Sequence, residues 1–434
     1  MKKTAIIAIA ITLLAAALCA CDAGPPPAAE TSPPTTAAEP TLPAAAQAVL
    51  DWGHSADRYD QALARQAALY AMLAYDESAW AGDGGYYCKS QREELPVPGA
   101  LHAQLARDGY RSIQSENYGN DEENDISYTL AYQLVSDGRA LLAVVLRGTD
   151  GLEWRGNMDV GRGLERHESF EKANLALRAG VEAYVEQHQL GDAVFFVTGH
   201  SRGAAVANLF AADLSHGLTA LAAGPDSVFC YTFATPNNTT EPTEDKNIFN
   251  FCFEDDFVPQ VPLARWGYGK YGTTFTASAQ ALYGADPDFK ELVDANIRAS
   301  YAREPSFDQA ATEQVLEDFY QLAPSVEVYY TKEYEMAPDH GLITGEVDLT
   351  MHGFMREYIG NAAALGLADL GASLGSALKR LPAGNDVKAV ADYFIVGWLP
   401  PHSRDSINDT HQAFTYYAAL TTDGFLIEER TDAP

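Results

Sequence analysis

Short apolar runs alternate with segments of helical periodicity along most of this chain. Residues 60–75 and 168–188 repeat apolar positions every three to four residues, as expected of amphipathic helices. Residues 140–146 (ALLAVVL) form a continuous apolar run, the pattern of a strand covered on both faces. Further strand-like runs are 128–135, 194–197, 227–234 and 247–253. This alternation predicts an α/β fold, with a mainly parallel sheet and helices on both faces.

The pattern changes near residue 279. From about 279 to 388 it becomes helical, most clearly at 311–322 and 352–365. We therefore expect one domain at 47–434 that carries a large helical insertion, at about 279–388, toward its C-terminus. Whether this insertion covers the site as a lid stays open.

The first 46 residues show the pattern of a targeting segment. A basic start precedes an apolar stretch at 5–18 that is short for a membrane span. Its end, LCAC, resembles the lipobox of bacterial lipoproteins, which implies a signal peptide at 1–20 and acylation of Cys21. The Pro-, Ala- and Thr-rich remainder of 21–46 favours an extended tether. We expect an extracytoplasmic protein anchored to the cell membrane; a plain secretory signal is the alternative.

Charge and cysteine content limit the partners and the covalent links. The formal net charge of −31 argues against a nucleic-acid partner and favours an uncharged or zwitterionic substrate. Besides Cys19 and Cys21, the chain has Cys88, Cys230 and Cys252. These three permit at most one intrachain disulfide, for which Cys230 and Cys252 are the candidates, and buried thiols are the alternative.

The most informative motif is G-x-S-x-G at residues 199–203, between a predicted strand and a predicted helix. This context is that of a nucleophile elbow, in which a sharp turn exposes the hydroxyl of Ser201. Gly199 and Gly203 are small residues where the two backbones nearly touch. The helix that follows directs backbone N–H groups toward a developing oxyanion. An ordinary strand–turn–helix joint is the alternative.

A serine nucleophile requires a base, an acid and an oxyanion hole. Asp256 follows the strand at 247–253 and is the candidate acid. The turn Arg147-Gly148-Thr149 closes the strand at 140–146, and its backbone offers one oxyanion donor. The amide of Arg202 offers the second. This chemistry needs no metal or cofactor.

Several of these motifs together resemble the class 3 (fungal-type) lipases of the α/β-hydrolase fold. The resemblance implies Ser201 as the nucleophile, Asp256 as the acid, and Thr149 with Arg202 as the oxyanion donors. Trp154 and Asn157 correspond to a Trp/Asn pair of the family. The other motifs that carry the resemblance, in family order, are VLRGT, HESF, TGHSRGAAVA, YTFATP and EDDFVP.

The chain departs from the family pattern directly after the serine. Arg202 replaces the usual leucine, and Ala204 replaces the second glycine. Because a cation at a helix N-terminus is unfavourable, we expect Arg202 to pair with an acid such as Asp255. Binding of a polar or anionic substrate group is the alternative role for Arg202.

The base is a histidine that follows the acid in chain order. The family ends in H-x4-Y, and His411 with Tyr416 fits that spacing. We therefore expect His411 to be the base, at the head of a helix started by Asp409 and Thr410. His352 is the main rival, and His340 and His402 also follow the acid. Of the earlier histidines, His200 and His167 are expected to be structural, and the others are assigned to the surface.

These features together predict a lipid-anchored serine hydrolase that cleaves carboxylic esters. A triacylglycerol lipase is the first expectation, and a phospholipase or a small-ester esterase is the alternative within enzymes. A catalytically idle surface lipoprotein that binds a ligand is the alternative outside enzymes. The oligomeric state stays open.

Overall fold

The computed structural model describes residues 50, 52–80, 86–88, 93–95, 99–118, 125–149, 153, 157, 164–313, 335–336, 343–344, 401–422 and 425. The expected signal peptide and tether (1–46, with Cys21), Trp154, His340 and His352 lie outside these residues.

Helices and strands are interspersed through the first two thirds of the chain, with up to three strands between successive helices. The helices are α1 Gln61–Leu73, α2 Ala100–Arg107, α3 Glu168–His188, α4 Arg202–Ser215, α5 Ala279–Ala285, α6 Pro287–Tyr301, α7 Pro401–His411 and α8 Ala413–Thr421. The strands are β1 Ser78–Trp80, β2 Tyr86–Cys88, β3 Glu93–Leu95, β4 Arg111–Glu116, β5 Tyr128–Leu134, β6 Ala140–Leu146, β7 Ala193–His200, β8 Val228–Phe233, β9 Ile248–Phe253, β10 Thr273–Ala277, β11 Glu335–Met336 and β12 Ile343–Thr344. Short 3₁₀ turns occur at Ala74–Asp76, Pro225–Ser227, Val258–Gln260 and Ala264–Trp266.

The main sheet has seven strands in the order β10-β9-β8-β7-β6-β5-β4. The strands from β6 to β10 pair in parallel, and β5 and β4 are antiparallel additions at one edge. The central strand β7 is buried along its whole length. The expectation of an α/β-hydrolase-like, mainly parallel sheet is confirmed.

Two hydrophobic cores cover the two faces of this sheet. Along β6, Leu141, Ala143 and Val145 join the core formed with α1 and α8. The intervening Leu142, Val144 and Leu146 join the core formed with α3 and α4. Alternate side chains of a strand point to opposite faces, so a strand between two helical layers has to be apolar throughout. The continuous apolar run at 140–146 reflects this position.

The first part of the expected insertion is helical, as α5 and α6 show. Beyond residue 313 the structure describes only the antiparallel pair β11–β12 before α7 begins. The segments 311–322 and 352–365 therefore lie largely or wholly outside the described residues. Among the described helices, none combines the length and the apolar character needed to cross a bilayer.

The candidate disulfide between Cys230 and Cys252 is not formed, and both residues are buried free thiols, which is the alternative that the sequence left open. Cys230 on β8 lies opposite Ile248 on β9, so Cys252 is four residues further along its strand. At about 3.3 Å per residue, this offset is about 13 Å. A disulfide requires Cα atoms about 6 Å apart.

Candidate active site

Ser201 occupies the sharp turn between β7 and α4. Its backbone has φ 56° and ψ −126°, a left-handed conformation that a residue with a side chain rarely adopts. Its N–H donates to the carbonyl of Phe233 on the neighbouring strand at 3.0 Å. Such strain costs about 1–3 kcal/mol and persists only where the surrounding structure enforces it. The conformation is that expected of a nucleophile elbow.

The two glycines of the motif are required by close backbone contacts. A Cβ atom on Gly199 would lie 2.6 Å from the carbonyl carbon and oxygen of Gly203. A Cβ atom on Gly203 would overlap the carbonyl groups of Leu146 and Arg147 at the end of β6. The start of α4 is therefore pressed against both the elbow strand and the turn that follows β6.

The structure brings Ser201, His411 and Asp256 into one hydrogen-bonded chain. The His411 Nε2 atom lies 2.9 Å from Ser201 Oγ, and its Nδ1 atom lies 2.8 Å from Asp256 Oδ2. Because a carboxylate only accepts hydrogen bonds, Nδ1 carries the hydrogen and Nε2 is left to accept the serine proton. The exposed fractions are 6% for Ser201, 1% for His411 and 0% for Asp256.

The carboxylate of Asp256 has two further donors. The backbone N–H of Val258 donates to Oδ1 at 2.9 Å, and the hydroxyl of Tyr416 donates to Oδ2 at 2.8 Å. Tyr416 itself accepts the backbone N–H of Phe253 at 3.0 Å. Burial raises the pKa of Tyr416, and the charge of Asp256 raises it further, so its hydroxyl remains a donor. These bonds fix the orientation of the carboxylate toward His411.

His411 is the last residue of α7, and the expected helix start at Asp409 and Thr410 is wrong. Both residues lie within α7, and the next helix, α8, begins after Gln412. The Asp409 carboxylate instead accepts from the Arg303 guanidinium at 2.6 and 2.7 Å. A short break between two helices thus holds the imidazole, and Tyr416 follows on α8.

The turn after β6 lies against the elbow, at the same edge of the sheet. Leu146 pairs with Gly199, so both strands end together. A Cβ atom on Gly148 would lie 3.0 Å from the carbonyl oxygen of His200. Thr149, the residue expected to give an oxyanion donor, is buried there, and its Oγ1 accepts from Asn157 Nδ2 at 2.9 Å.

The Arg202 side chain points into the protein, with an exposed fraction of only 1%. Its guanidinium donates to Asn157 Oδ1, Ser169 Oγ and the backbone carbonyl of Asp125, at 2.9 to 3.3 Å. It also lies over the ring of Phe170, 5.5 Å from the ring centre. The buried side chain therefore does not reach out to a substrate group.

The expected pairing of Arg202 with Asp255 is wrong. The Asp255 carboxylate instead accepts the backbone N–H groups of Ala279 and Gln280, which begin α5, at 2.9 and 2.7 Å. Carboxylates are favourable at helix N-termini, where N–H groups lack partners. Asp255 thus connects the loop that carries Asp256 to the helical segment after β10.

Two buried histidines lie near the site, His200 beside His411 and His167 beside Asn157. The Nδ1 atom of His200 is hydrogen bonded to the hydroxyl of Tyr75 at 2.7 Å, and its ring centre is 4.9 Å from that of His411. His167 is stacked on Phe170 at 3.8 Å. Burial lowers the pKa of His200 well below its usual value, and burial with the charge of Arg202 lowers the pKa of His167 to about 3. Both are neutral and structural, as expected.

The other histidines give a mixed result. His216 is exposed and pairs with Asp245 at 2.7 Å. His54 is not a surface residue, because its ring packs against Phe229 at 5.4 Å and its side chain is only 8% exposed. His402 lies on α7, nine residues before His411, and nothing is described of its side chain.

Three supporting residues lack a sequence signal. Arg303 binds the helix that ends in His411, and Tyr75 binds His200. Lys270 donates to the carbonyl groups of Thr235 and Pro259, at 2.5 and 2.9 Å, and so fixes the loop after Asp256. Burial lowers the pKa of Lys270. Each acts across the fold, and no local spacing indicates such a contact.

Within the described residues, no group of three or more His, Cys, Asp or Glu side chains is arranged to hold a metal ion. The side chains aligned with Ser201, those of His411 and Asp256, are typical of acid–base and nucleophilic chemistry.

Comparisons with known proteins add a family match. Residues 146–266 match the family described as Lipase (class 3). This stretch contains Ser201, Arg202 and Asp256, and it ends before His411. No curated protein matches the chain.

Solved lipase structures are also similar, at low scores. One is a mono- and diacylglycerol lipase from Aspergillus oryzae, 18% identical, with 51% of this chain and 81% of that chain covered and a TM-score of 0.36. Another is a triacylglyceride lipase from Rhizomucor miehei, 17% identical, with 51% and 80% covered and a TM-score of 0.33. These TM-scores are too low to support a conclusion about function. The family match is the informative result: over residues 146–266 the chain is similar to class 3 lipases, and it is a carboxylic ester hydrolase.

Proposed function

We propose that this protein is a serine hydrolase of lipid esters that works through an acyl-enzyme on Ser201. The observation that carries the proposal is the continuous hydrogen-bonded chain from Ser201 Oγ through His411 to Asp256. Ser201 and Asp256 lie in the segment that matches the class 3 lipases, a family that hydrolyses lipid esters. An idle binding protein would have no need of a strained serine aligned with a base.

In the first half of the reaction, Ser201 Oγ bonds to the ester carbonyl carbon while its proton passes to His411 Nε2. The bond from this carbon to the alcohol oxygen then breaks, and Nε2 returns the proton to the leaving alcohol. Asp256 accepts the Nδ1 hydrogen bond and stabilises the imidazolium that forms between the two steps. In the second half, water replaces the alcohol and releases the carboxylic acid.

The carbonyl oxygen becomes negatively charged in both halves. We assign its stabilisation to the backbone N–H groups of Thr149 and Arg202, where the turn after β6 meets the start of α4. Donors that are already oriented require no reorganisation when the charge develops. The positive end of α4 acts in the same direction.

The proposed substrate class and location rest on the net charge of the sequence and on the lipobox-like segment at its start. The net charge of −31 favours uncharged or zwitterionic esters over anionic ones. The proposed acyl chains on Cys21 would hold the enzyme at a membrane surface, where lipid esters are found. Replacing Cys21 with Ala is expected to move the protein from the membrane fraction to the soluble fraction, and an unchanged distribution would contradict the anchoring.

Hydrolysis of p-nitrophenyl esters with acyl chains from C2 to C16 tests the proposed reaction. Full-length wild type in detergent should be active, and Ser201→Ala and His411→Ala should each lose about 10⁶-fold in kcat. His216→Ala, which changes an exposed histidine directly after α4, is the matched control and should keep its activity. Substantial activity in Ser201→Ala would contradict the mechanism. The chain-length profile separates a lipase from a small-ester esterase.

A further inference from the structure

We propose that the Arg202 side chain is a positioning residue that connects the two halves of the oxyanion hole. The inference rests on the proposed function, because it concerns the donors assigned above. Arg202 contributes one donor through its backbone N–H. Through its guanidinium and Asn157 it also orients Thr149, which contributes the other.

The connection runs through one side-chain amide. Asn157 Oδ1 accepts from Arg202 Nη1 at 2.9 Å, and Asn157 Nδ2 donates to Thr149 Oγ1 at 2.9 Å. An amide has distinct accepting and donating ends. Because the guanidinium only donates, it selects the orientation of Asn157 in which the N–H₂ group faces Thr149. The backbone carbonyl of Asn157 lies 3.2 Å from His167 Nε2, which restrains the same residue.

Arg202 is itself held rigidly. Its Nη1 also donates to Ser169 Oγ at 3.1 Å, and its Nε and Nη2 donate to the carbonyl of Asp125 at 3.3 and 3.1 Å. The guanidinium lies over the Phe170 ring, 5.5 Å from its centre. A planar group with donors in a fixed fork determines the position of its partners better than an ammonium group does. The guanidinium therefore gives Asn157 a fixed reference point in the core.

This arrangement gives a physical reason for an arginine where the similar family usually has leucine. Thr149 follows the end of β6 and is not part of a regular element, so its geometry depends on side-chain contacts. Leucine has no polar group to orient Asn157. An oxyanion hole gains its effect from orientation before the reaction, so a freely rotating Asn157 would lower the rate without weakening ester binding.

A double-mutant cycle on p-nitrophenyl ester hydrolysis tests this connection. Arg202→Leu and Asn157→Ala should each lower kcat about 10- to 100-fold, below the cost of removing an oxyanion donor, with KM changed less than about threefold. The double variant should be no slower than the slower single variant, to within about threefold, because both changes interrupt one path. Arg178→Leu, which removes a paired arginine on α3, is the matched control and should leave kcat unchanged.

The outcomes separate the inference from the proposed function. Inactive wild type would overturn the proposed function itself. Active wild type with multiplicative losses in the double variant, or with a loss confined to KM, would overturn only the positioning role. Thermal unfolding of each variant identifies a loss that comes from unfolding. If Arg202→Leu does not fold, Asn157→Ala alone decides, since unchanged kcat in that variant contradicts the connection.

Discussion

Two residues of the candidate triad, Ser201 and His411, are held in position in different ways. Ser201 is fixed by backbone geometry, because the residues that shape its turn lie within two positions of it and in the strands beside it. His411 is fixed by side chains that come from distant parts of the chain. The position of Ser201 is therefore determined mainly by its own turn, whereas the position of His411 depends on the assembled fold.

The segment after α6 forms the support of the base. Arg303 holds the Asp409 carboxylate, which also accepts the backbone N–H of Ser306 at 2.8 Å. One turn earlier in α7, Ser406 Oγ accepts the backbone N–H of Asp308 at 2.6 Å. These contacts join residues about 100 positions apart in the chain. The beginning of the insertion thus contributes to the position of His411.

The largest effect is expected from Gly203→Ala, which disturbs the turn that holds Ser201. A Cβ atom at this position would overlap the carbonyl oxygen of Arg147 and lie 2.7 Å from that of Leu146. We expect the free energy of unfolding to fall by about 4 kcal/mol, as measured by urea denaturation. Gly191→Ala is the matched control, because no atom lies within 4 Å of its added Cβ. Equal effects in the two variants would contradict the close packing at the elbow.

A smaller effect is expected from Arg303→Met, which disturbs the contacts that position His411. The variant leaves the buried Asp409 carboxylate without its bidentate partner and should lower the free energy of unfolding by about 3 kcal/mol. Displacement of α7 should also lower kcat about 10- to 100-fold.

The control for this change is Arg298→Met, which removes an exposed arginine from the neighbouring helix. It should leave kcat unchanged. If Arg303→Met retains full kcat in the folded protein, then His411 does not depend on the segment after α6.

This contrast also explains which features the sequence could predict. Strand burial and close backbone contacts restrict the residue types at neighbouring positions of the sequence. The apolar run of β6 therefore predicted the sheet, and the glycines around Ser201 predicted the elbow. Asp256 was found in the same way, from its position directly after a strand. His411 was predicted from its place after Asp256 in chain order and from the family spacing to Tyr416. Its own helix, α7, reads PHSRDSINDTH and has almost no apolar periodicity, so its bounds were not predicted.

The wrong predictions have a related cause. Asp255 was expected to pair with Arg202 because a cation at a helix N-terminus is unfavourable without an acidic partner. The fold instead buries the guanidinium among Asn157, Ser169 and the carbonyl of Asp125, and it uses Asp255 to cap α5. These side-chain partners depend on which elements meet in three dimensions, and local patterns in one sequence do not predict such contacts.

The smallest effect is expected from a decrease in pH. It concerns His167, which is connected to Arg202 through Asn157. Burial and the charge of Arg202 lower the pKa of His167 to about 3, below its value of about 6.5 in an unfolded chain. The unfolded state therefore binds more protons between these values, so stability falls as pH drops below about 6.5. His167 should contribute a loss of about 2 kcal/mol at pH 5.

Urea denaturation at pH 7.5 and pH 5 measures this contribution. The decrease in unfolding free energy should be smaller in His167→Gln than in wild type. His216→Gln, which changes an exposed histidine, should show the wild-type decrease. The same pH dependence in all three proteins would show that His167 is not a buried neutral group.

The proposed function requires that Ser201 is a nucleophile activated by His411 and Asp256. Intact-protein mass spectrometry after treatment with a fluorophosphonate ester, followed by peptide mapping, tests it most directly. We expect a single adduct on Ser201 in wild type, no adduct in Ser201→Ala, and strongly slowed labelling in His411→Ala. An adduct on another residue, or esterase activity in a protein that does not label, would contradict the account.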